Sequence, residues 1–215
     1  MTEGVIFDLD GVLVSTDMLH FQAWRRLAEE IGITGFTEED NIRQRGVSRM
    51  ASLEVVLEKG DTVYTQAEKE ALAEKKNGYY RELLKGLTPD DVLPGATQTL
   101  RYLKKRGLRI GIGSVSKNTP EILARTGLDV LVDAVSSGLD ITHSKPHPEV
   151  FLVGAQKLGL PPAGCLVVED AAAGIEAAKA AGMLALGVGP AVHHPAADFR
   201  ADSLADPIDW DRILA

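Results

Sequence analysis

The sequence predicts an α/β protein in which a doubly wound parallel sheet carries an all-helical insertion after its first strand. Three observations carry this. Short apolar runs alternate with stretches of helical spacing beyond residue 90. The interval between residues 14 and 87 shows helical spacing only. The first apolar run, Gly4-Val5-Ile6-Phe7, stops at two carboxylates and a glycine, Asp8-Leu9-Asp10-Gly11. A buried strand has no packing reason to end in two acids, whereas the carboxyl edge of an open parallel sheet is where such folds bind ligands.

In chain order, strands are expected at residues 5–7, 108–113, 130–135, 165–168 and 184–188. Helices are expected between them at 96–106, 119–126, 148–158 and 171–181. Alternation of this kind is the pattern of successive βαβ units. Within the insertion, Leu19, Ala23, Leu27 and Ile31 recur at i, i+4, i+8 and i+12, one face of a helix, and 50–59 and 65–84 also read as helical. Turn and capping residues mark its limits at Ser15-Thr16-Asp17 and Thr88-Pro89-Asp90-Asp91. Residues 1–15 and 88–215 are thus expected to form a catalytic core domain and 16–87 a helical cap. Two chain crossings in short linkers make a hinge.

The bulk numbers narrow the function classes. Over 215 residues, 45% hydrophobic and 25% charged residues are the composition of an ordinary soluble globular protein with a sizeable core. A net charge of −8 disfavours nucleic acid and anionic membranes as partners, since both need a basic face. A phosphate site must then be a local positive pocket. The lone Cys165 excludes an intramolecular disulfide and a multi-cysteine zinc site, and within Cys165-Leu166-Val167-Val168 it reads as a core residue. The N-terminus has no basic leader and its apolar run is cut at Asp8, so neither a signal peptide nor a membrane span is expected and the location is cytoplasmic.

Asp8 and Asp10 at i and i+2 of an extended segment share a face about 6–7 Å apart, a gap that admits a phosphoryl group. An aspartate of ordinary pKa, about 3.9, is ionised at neutral pH and needs no base to act as a nucleophile. Its obstacle is repulsion by phosphate, which a hard divalent cation such as Mg²⁺ removes. Asp10 can exchange a proton with the leaving or attacking oxygen. Taken alone, such an acid pair is as readily a solvated turn or a helix cap.

Three further segments sit at strand ends. Gly113-Ser114-Val115-Ser116-Lys117-Asn118 offers hydroxyls, backbone N–H groups and an ammonium for phosphate, with capping by Ser116 or Asn118 as the plainer reading. Lys145, in Ser144-Lys145-Pro146-His147-Pro148, is either a phosphate ligand or a solvated loop lysine. Glu169-Asp170 either completes a metal site or places Asp170 as the cap of the next helix, whose small residues Ala171-Ala172-Ala173-Gly174 allow close packing. Gly111-x-Gly113 lacks the third glycine of a dinucleotide fingerprint, and no P-loop occurs. Acid pair, serine, lysine and acid pair at four strand ends of one domain are poorly explained as coincidence.

These four segments, Asp8-Leu9-Asp10-Gly11-Val12, Ser114, Lys145-Pro146 and Glu169-Asp170, resemble in order and spacing the four motifs of the haloacid dehalogenase superfamily. Within it, His20-Phe21-Gln22-Ala23-Trp24, Gly46-Val47-Ser48-Arg49, Lys75-Lys76-Asn77 and Gly187-Val188-Gly189 are similar to the sugar-phosphate mutase branch, and the likeness spans nearly the whole chain.

The resemblance implies that Asp8 is phosphorylated, that Asp10 is the general acid and base, and that Ser114 and Lys145 bind the transferring phosphoryl group. It implies Mg²⁺ held by Asp8, the Asp10 backbone carbonyl, Glu169 and Asp170. A second, non-reacting phosphate would meet Arg49, Ser116, Lys117 and Asn118. Lys76 and Arg45 would face the sugar or the cleft, with Trp24, Gly46, Val47, Ser48, Ser52 and Val115 completing the substrate-binding surface. Thr16 and His20 would couple hinge closure to Asp10. The implied reaction interconverts β-glucose 1-phosphate and glucose 6-phosphate through β-glucose 1,6-bisphosphate, by a monomer acting on small sugar phosphates. A sugar-phosphate phosphatase on the same framework is the alternative, and a non-catalytic sensor is disfavoured by the intact acids. Val115 stands where the pattern has alanine, and Arg45 where it has lysine. His193 and His194 lack a metal constellation and are expected in a surface loop.

Overall fold

The structure is a computed structural model that describes residues 2–215. Its elements in chain order are β1 (Gly4–Phe7), the helices α1 (Asp17–Glu30), α2 (Glu38–Ile42), α3 (Arg49–Leu57) and α4 (Gln66–Leu84), then α5 (Ala96–Lys105), β2 (Arg109–Gly113), α6 (Thr119–Thr126), β3 (Ala134–Ser136), α7 (Glu149–Leu158), β4 (Cys165–Glu169), α8 (Ala172–Ala180), β5 (Leu184–Gly187), β6 (Phe199–Arg200) and α9 (Trp210–Leu214). Residues 2–15 and 88–215 make one unit and residues 16–87 another.

The first unit is built on a parallel sheet in the order β3-β2-β1-β4-β5-β6. β1 pairs with β2 on one side and β4 on the other, Ile6 lying level with Gly111 and Val167. The strand order therefore reverses at β1, and a crevice opens beyond its carboxyl end. Both faces of these strands are covered, which is why they read as unbroken apolar runs rather than alternating ones. One face packs Ile6 and Val167 against Val150, Phe151, Ala155 and Leu158 of α7 and Ile175 and Ala178 of α8. Each fully buried valine, isoleucine, leucine or phenylalanine side chain among them contributes about 1.5–3 kcal/mol. The Gly111-x-Gly113 spacing has a packing cause: a β-carbon on Gly113 would lie 2.7 Å from the Phe151 ring.

Two strand ends differ from the sequence expectation. The run 130–135 is split, with Asp129–Leu131 in a 3₁₀ turn and the strand confined to Ala134–Ser136. The Asp133 carboxylate accepts the Ile110 N–H at 2.8 Å while its own N–H donates to Ile110 O at 2.7 Å. This pins the chain only as it joins the sheet edge, and leaves Val130 75% exposed. The two-residue β6 is too short to leave a periodic signal.

The helical unit is held by Phe21, Trp24, Leu27 and Ala28 of α1 packed with Ile33, Phe36, Leu53, Val56 and Ala73. The buried face of α1 comprises Phe21, Ala23, Trp24, Leu27 and Ala28, so it contains Ala23 and Leu27 of the spacing read in the sequence, with Leu19 and Ile31 half-buried at its ends, and is widened by Phe21, Trp24 and Ala28. α4 starts at a capping box, Thr65 with Glu68. The unanticipated α2 has the same device, Thr37 with Asp40.

Candidate active site

The β1 strand ends at Phe7, but its ladder runs one residue further, the Asp8 N–H donating to Val168 O at 2.9 Å. Asp8 is therefore fixed by the sheet. Asp10 lies in the following turn, bridged to Val14, so the two acids do not share a strand face as expected; the turn closes with Gly11 N–H donating to Val14 O at 2.8 Å. Gly11 has a φ of +86°, a conformation that glycine adopts without steric cost.

Lys145 reaches the same point from the β3–α7 loop. Its ammonium donates to Asp8 Oδ1 at 2.5 Å and to Glu169 Oε1, and its side chain is 1% exposed. The solvated-loop reading of Lys145 is thereby excluded. Burial alone would lower the Lys145 pKa, but the Asp8 and Glu169 carboxylates outweigh it and hold it above its ordinary value. The Phe151 ring lies 4.9 Å from the ammonium.

Glu169 is the last residue of β4, and its other oxygen accepts the Ala171 N–H at 2.9 Å. Asp170 does not cap α8: the N-cap is Ala171, without a side-chain bond. Instead Asp8, Glu169 and Asp170 bring one carboxylate oxygen each to within 4.8 Å of one another, all three residues buried. Burial raises the carboxyl groups of Glu169 and Asp170 above the ordinary range, and the crowding of neighbouring carboxylates adds to it. Three buried acids against one lysine leave negative charge to be balanced, and every donor in the set is a hard oxygen. That composition fits Mg²⁺.

Ser114 follows β2 directly and is buried, its N–H donating to Ser136 O at 3.0 Å and its Oγ accepting the Ser116 N–H at 3.3 Å. The next residues curl into the start of α6. Ser116 Oγ accepts the Asn118 N–H at 3.2 Å, Asn118 occupies the N-cap position without a side-chain capping bond, and Lys117 is exposed. Asp8, Ser114, Lys145, Glu169 and Asp170 all lie at carboxyl ends of strands or in the loops that follow them.

In the helical unit, Lys76 is buried with its ammonium 2.8 Å from His20 Nδ1 and over the faces of Trp24 at 4.5 Å and Tyr80 at 4.8 Å. His20 stacks on Tyr80 with ring centroids 4.0 Å apart, and the Tyr80 hydroxyl donates to Thr16 Oγ1 at 2.9 Å. Burial, then the cations Lys76 and Arg49, push the His20 pKa well below its ordinary value of 6.5. Arg49 pairs with Glu74 at 2.9 Å and Arg45 with Asp17 at 2.8 Å. Ser48 caps α3, and the Ser52 carbonyl accepts from Gln44 at 2.8 Å; Gly46 and Val47 are half-buried beside them. Tyr80 and Glu74 were absent from the sequence-based set. Tyr80, four residues beyond Lys76 on α4, carries the helical spacing that could have found it. His193 ends a 3₁₀ turn, Gly189–His193, and is exposed.

The model of the haloacid dehalogenase-like hydrolase family matches residues 2–182. The chain is 44% identical over 189 residues to the β-phosphoglucomutase of Bacillus subtilis strain 168, covering 87% of this chain and 83% of that protein. It is 32% identical to a phosphorylated carbohydrates phosphatase of Thermotoga maritima, covering 84% and 82%. Among solved structures, the β-phosphoglucomutase of Clostridium difficile superposes with a TM-score of 0.91 at 38% identity, over 99% of this chain and 96% of that one. Among the described residues, no helix is long and apolar enough to cross a membrane.

Proposed function

The chain belongs to the haloacid dehalogenase-like hydrolase family, and on that premise we propose that it acts as a β-phosphoglucomutase, interconverting β-glucose 1-phosphate and glucose 6-phosphate through β-glucose 1,6-bisphosphate. The observation that carries phosphoryl transfer is the buried Lys145 joining Asp8 to Glu169 at the sheet's switch point. An ammonium there lies against the Asp8 carboxylate and offers a cation to the incoming phosphoryl oxygens. The mutase reading over the phosphatase is supported by the greater likeness to the Bacillus enzyme and by the cations of the helical unit.

Asp8 attacks phosphorus of the bisphosphate, a new P–O bond forms to its carboxylate, and the sugar–oxygen–phosphorus ester breaks. Asp10 gives its proton to the departing sugar oxygen. In the return step it takes the proton from the attacking hydroxyl as the phosphoryl group leaves Asp8. Ser114 and Lys145 hold the transferring group. Mg²⁺, held by Asp8, Glu169, Asp170 and the Asp10 carbonyl, would neutralise charge between carboxylate and phosphate when bound. Arg49 gives a planar, permanently charged fork for the phosphate that is not reacting, with Ser116, Lys117 and Asn118 as further donors. Lys76 acts on the sugar, and its contact with a neutral His20 keeps the ammonium in place.

The test is to trap the phosphoenzyme with β-glucose 1,6-bisphosphate and Mg²⁺ and map the modified peptide. Phosphate is expected on Asp8 and absent from Asp8→Asn, whereas phosphate on another residue overturns the assignment.

A further inference from the structure

The loop that carries Lys145 also carries two histidines, His143 and His147, and leads into α7 at Glu149. One donor atom from each of these three residues lies within 4.8 Å of the others. His143 Nδ1 is 3.1 Å from Glu149 Oε2, and the two imidazole centroids are 4.6 Å apart at 33°. The carboxylate is aimed by its own neighbours. It accepts the His143 N–H at 2.7 Å and the Thr142 N–H at 3.1 Å, and the Thr142 hydroxyl lies 3.1 Å from Oε1. The Glu149 N–H in turn donates to His147 Nδ1 at 3.3 Å.

We propose that His143, His147 and Glu149 form a second cation site, for a borderline divalent metal such as Zn²⁺ rather than Mg²⁺. Two imidazoles and one carboxylate are a three-ligand set that zinc accepts, the fourth position being left to water. Imidazole suits zinc, copper and nickel, and magnesium avoids it, so the all-oxygen set at Asp8 and this set select different metals. A tetrahedral site with bonds near 2.0–2.1 Å needs donors about 3.3 Å apart. Both histidines are exposed and can close the remaining distance by rotating about their side-chain bonds. The cation would enter between the His143 ring and the Glu149 carboxylate, where Nδ1 and Oε2 already face each other at 3.1 Å. The Thr142 hydroxyl and the two backbone N–H groups remain as outer partners that orient the carboxylate.

The placement gives such a metal a consequence. Lys145 lies between the two histidines in sequence and points the opposite way, 1% exposed against 65% for the His143 side chain. A metal tying residue 143 to residues 147 and 149 would brace the loop that holds the Lys145 ammonium on Asp8. This is independent of which sugar phosphate the chain uses.

The experiment titrates Zn²⁺ into the untagged full chain with Mg²⁺ in large excess, so that the carboxylate site is filled. One Zn²⁺ per chain is expected, with a rise in melting temperature. Affinity should fall at least about tenfold in His143→Gln and in His147→Gln, and stay unchanged in the His193→Gln, His194→Gln double variant. Cu²⁺ in place of Zn²⁺ should show nitrogen hyperfine coupling that the His143→Gln, His147→Gln double variant loses. Circular dichroism of each variant separates loss of a ligand from loss of fold. No Zn²⁺ uptake by the wild-type chain, undiminished uptake by the folded double variant, or loss caused by the His193 and His194 substitutions each overturns the site.

Discussion

Gly174 faces the Glu169 carboxylate so closely that a β-carbon at this position would lie 2.0 Å from Oε1 and from the carboxyl carbon. The first turn of α8 therefore packs directly against a proposed metal ligand, and the absence of a side chain is what lets that ligand stand upright between Lys145 and the helix. Gly11 has the same relation to the other acid, its missing β-carbon lying 2.2 Å from Asp170 Oδ2.

Gly174→Ala is therefore expected to cost more at the site than in the fold. Overpacking of this kind costs about 1–3 kcal/mol of stability. Glu169 must swing away, so the Mg²⁺ concentration needed for half-maximal turnover should rise at least tenfold, on the order of the loss seen when the partners of metal ligands are removed. Metal titration of activity alongside thermal melts checks both. A variant with wild-type metal dependence would show that the carboxylate relaxes without leaving its place.

Lys145 and Asp170 should respond with opposite sign when metal is absent. Lys145→Met leaves Asp8 and Glu169 buried without their counter-charge, a change that costs about 3–5 kcal/mol. Added Mg²⁺ should restore part of it, giving a larger metal-induced rise in melting temperature than in wild type. Asp170→Ala removes one of three crowded buried carboxylates and no helix cap, so the metal-free protein should melt no lower than wild type and the rise with Mg²⁺ should disappear. Differential scanning with and without Mg²⁺ separates the cases. An Asp170→Ala protein that melts lower but keeps its metal response would remove Asp170 from the site.

His20 makes the stability of the helical unit sensitive to acid. Its folded pKa lies well below 6.5, so between those two values the unfolded chain binds the proton and the folded chain does not. Stability from this group is then constant above pH 6.5 and falls as the pH drops below it, by at most about 1.4 kcal/mol per pH unit. His20→Asn keeps an acceptor for Lys76 and cannot titrate. Its melting temperature should decline less between pH 6.5 and pH 5 than that of wild type. Parallel curves would show that the ring takes up its proton in the folded state.

The alternation of apolar and helical stretches located the β1, β2, β4 and β5 strands because each is buried on both faces and long enough to leave a run. The helical insertion was legible from the lack of any such run before residue 88. What escaped has a physical reason. α2 and β6 span five and two residues, too few to show a period. Residues 130 and 131 are apolar but turn at the surface, which composition does not distinguish from a strand.

At the site, Asp8, Lys145, Glu169 and Asp170 were legible because ionisable groups at the ends of apolar runs are costly without a task. The burial of Lys145 against two carboxylates was not, since a loop lysine gives no sign of where its ammonium ends. Nor was the role of Gly174, read from the sequence as helix packing, because the atom it makes room for lies on another element. The stacking of His20 on Tyr80 joins α1 to α4 and depends on how those helices cross.

The most direct measurement incubates the purified chain with β-glucose 1-phosphate, Mg²⁺ and a trace of β-glucose 1,6-bisphosphate, and follows glucose 6-phosphate and inorganic phosphate separately. The expected result is glucose 6-phosphate formed in stoichiometric exchange for β-glucose 1-phosphate, with inorganic phosphate a minor product and with turnover that stops when the bisphosphate is withheld. Inorganic phosphate released faster than glucose 6-phosphate appears would contradict the mutase and leave a sugar-phosphate phosphatase built on the same Asp8, Lys145 and Glu169.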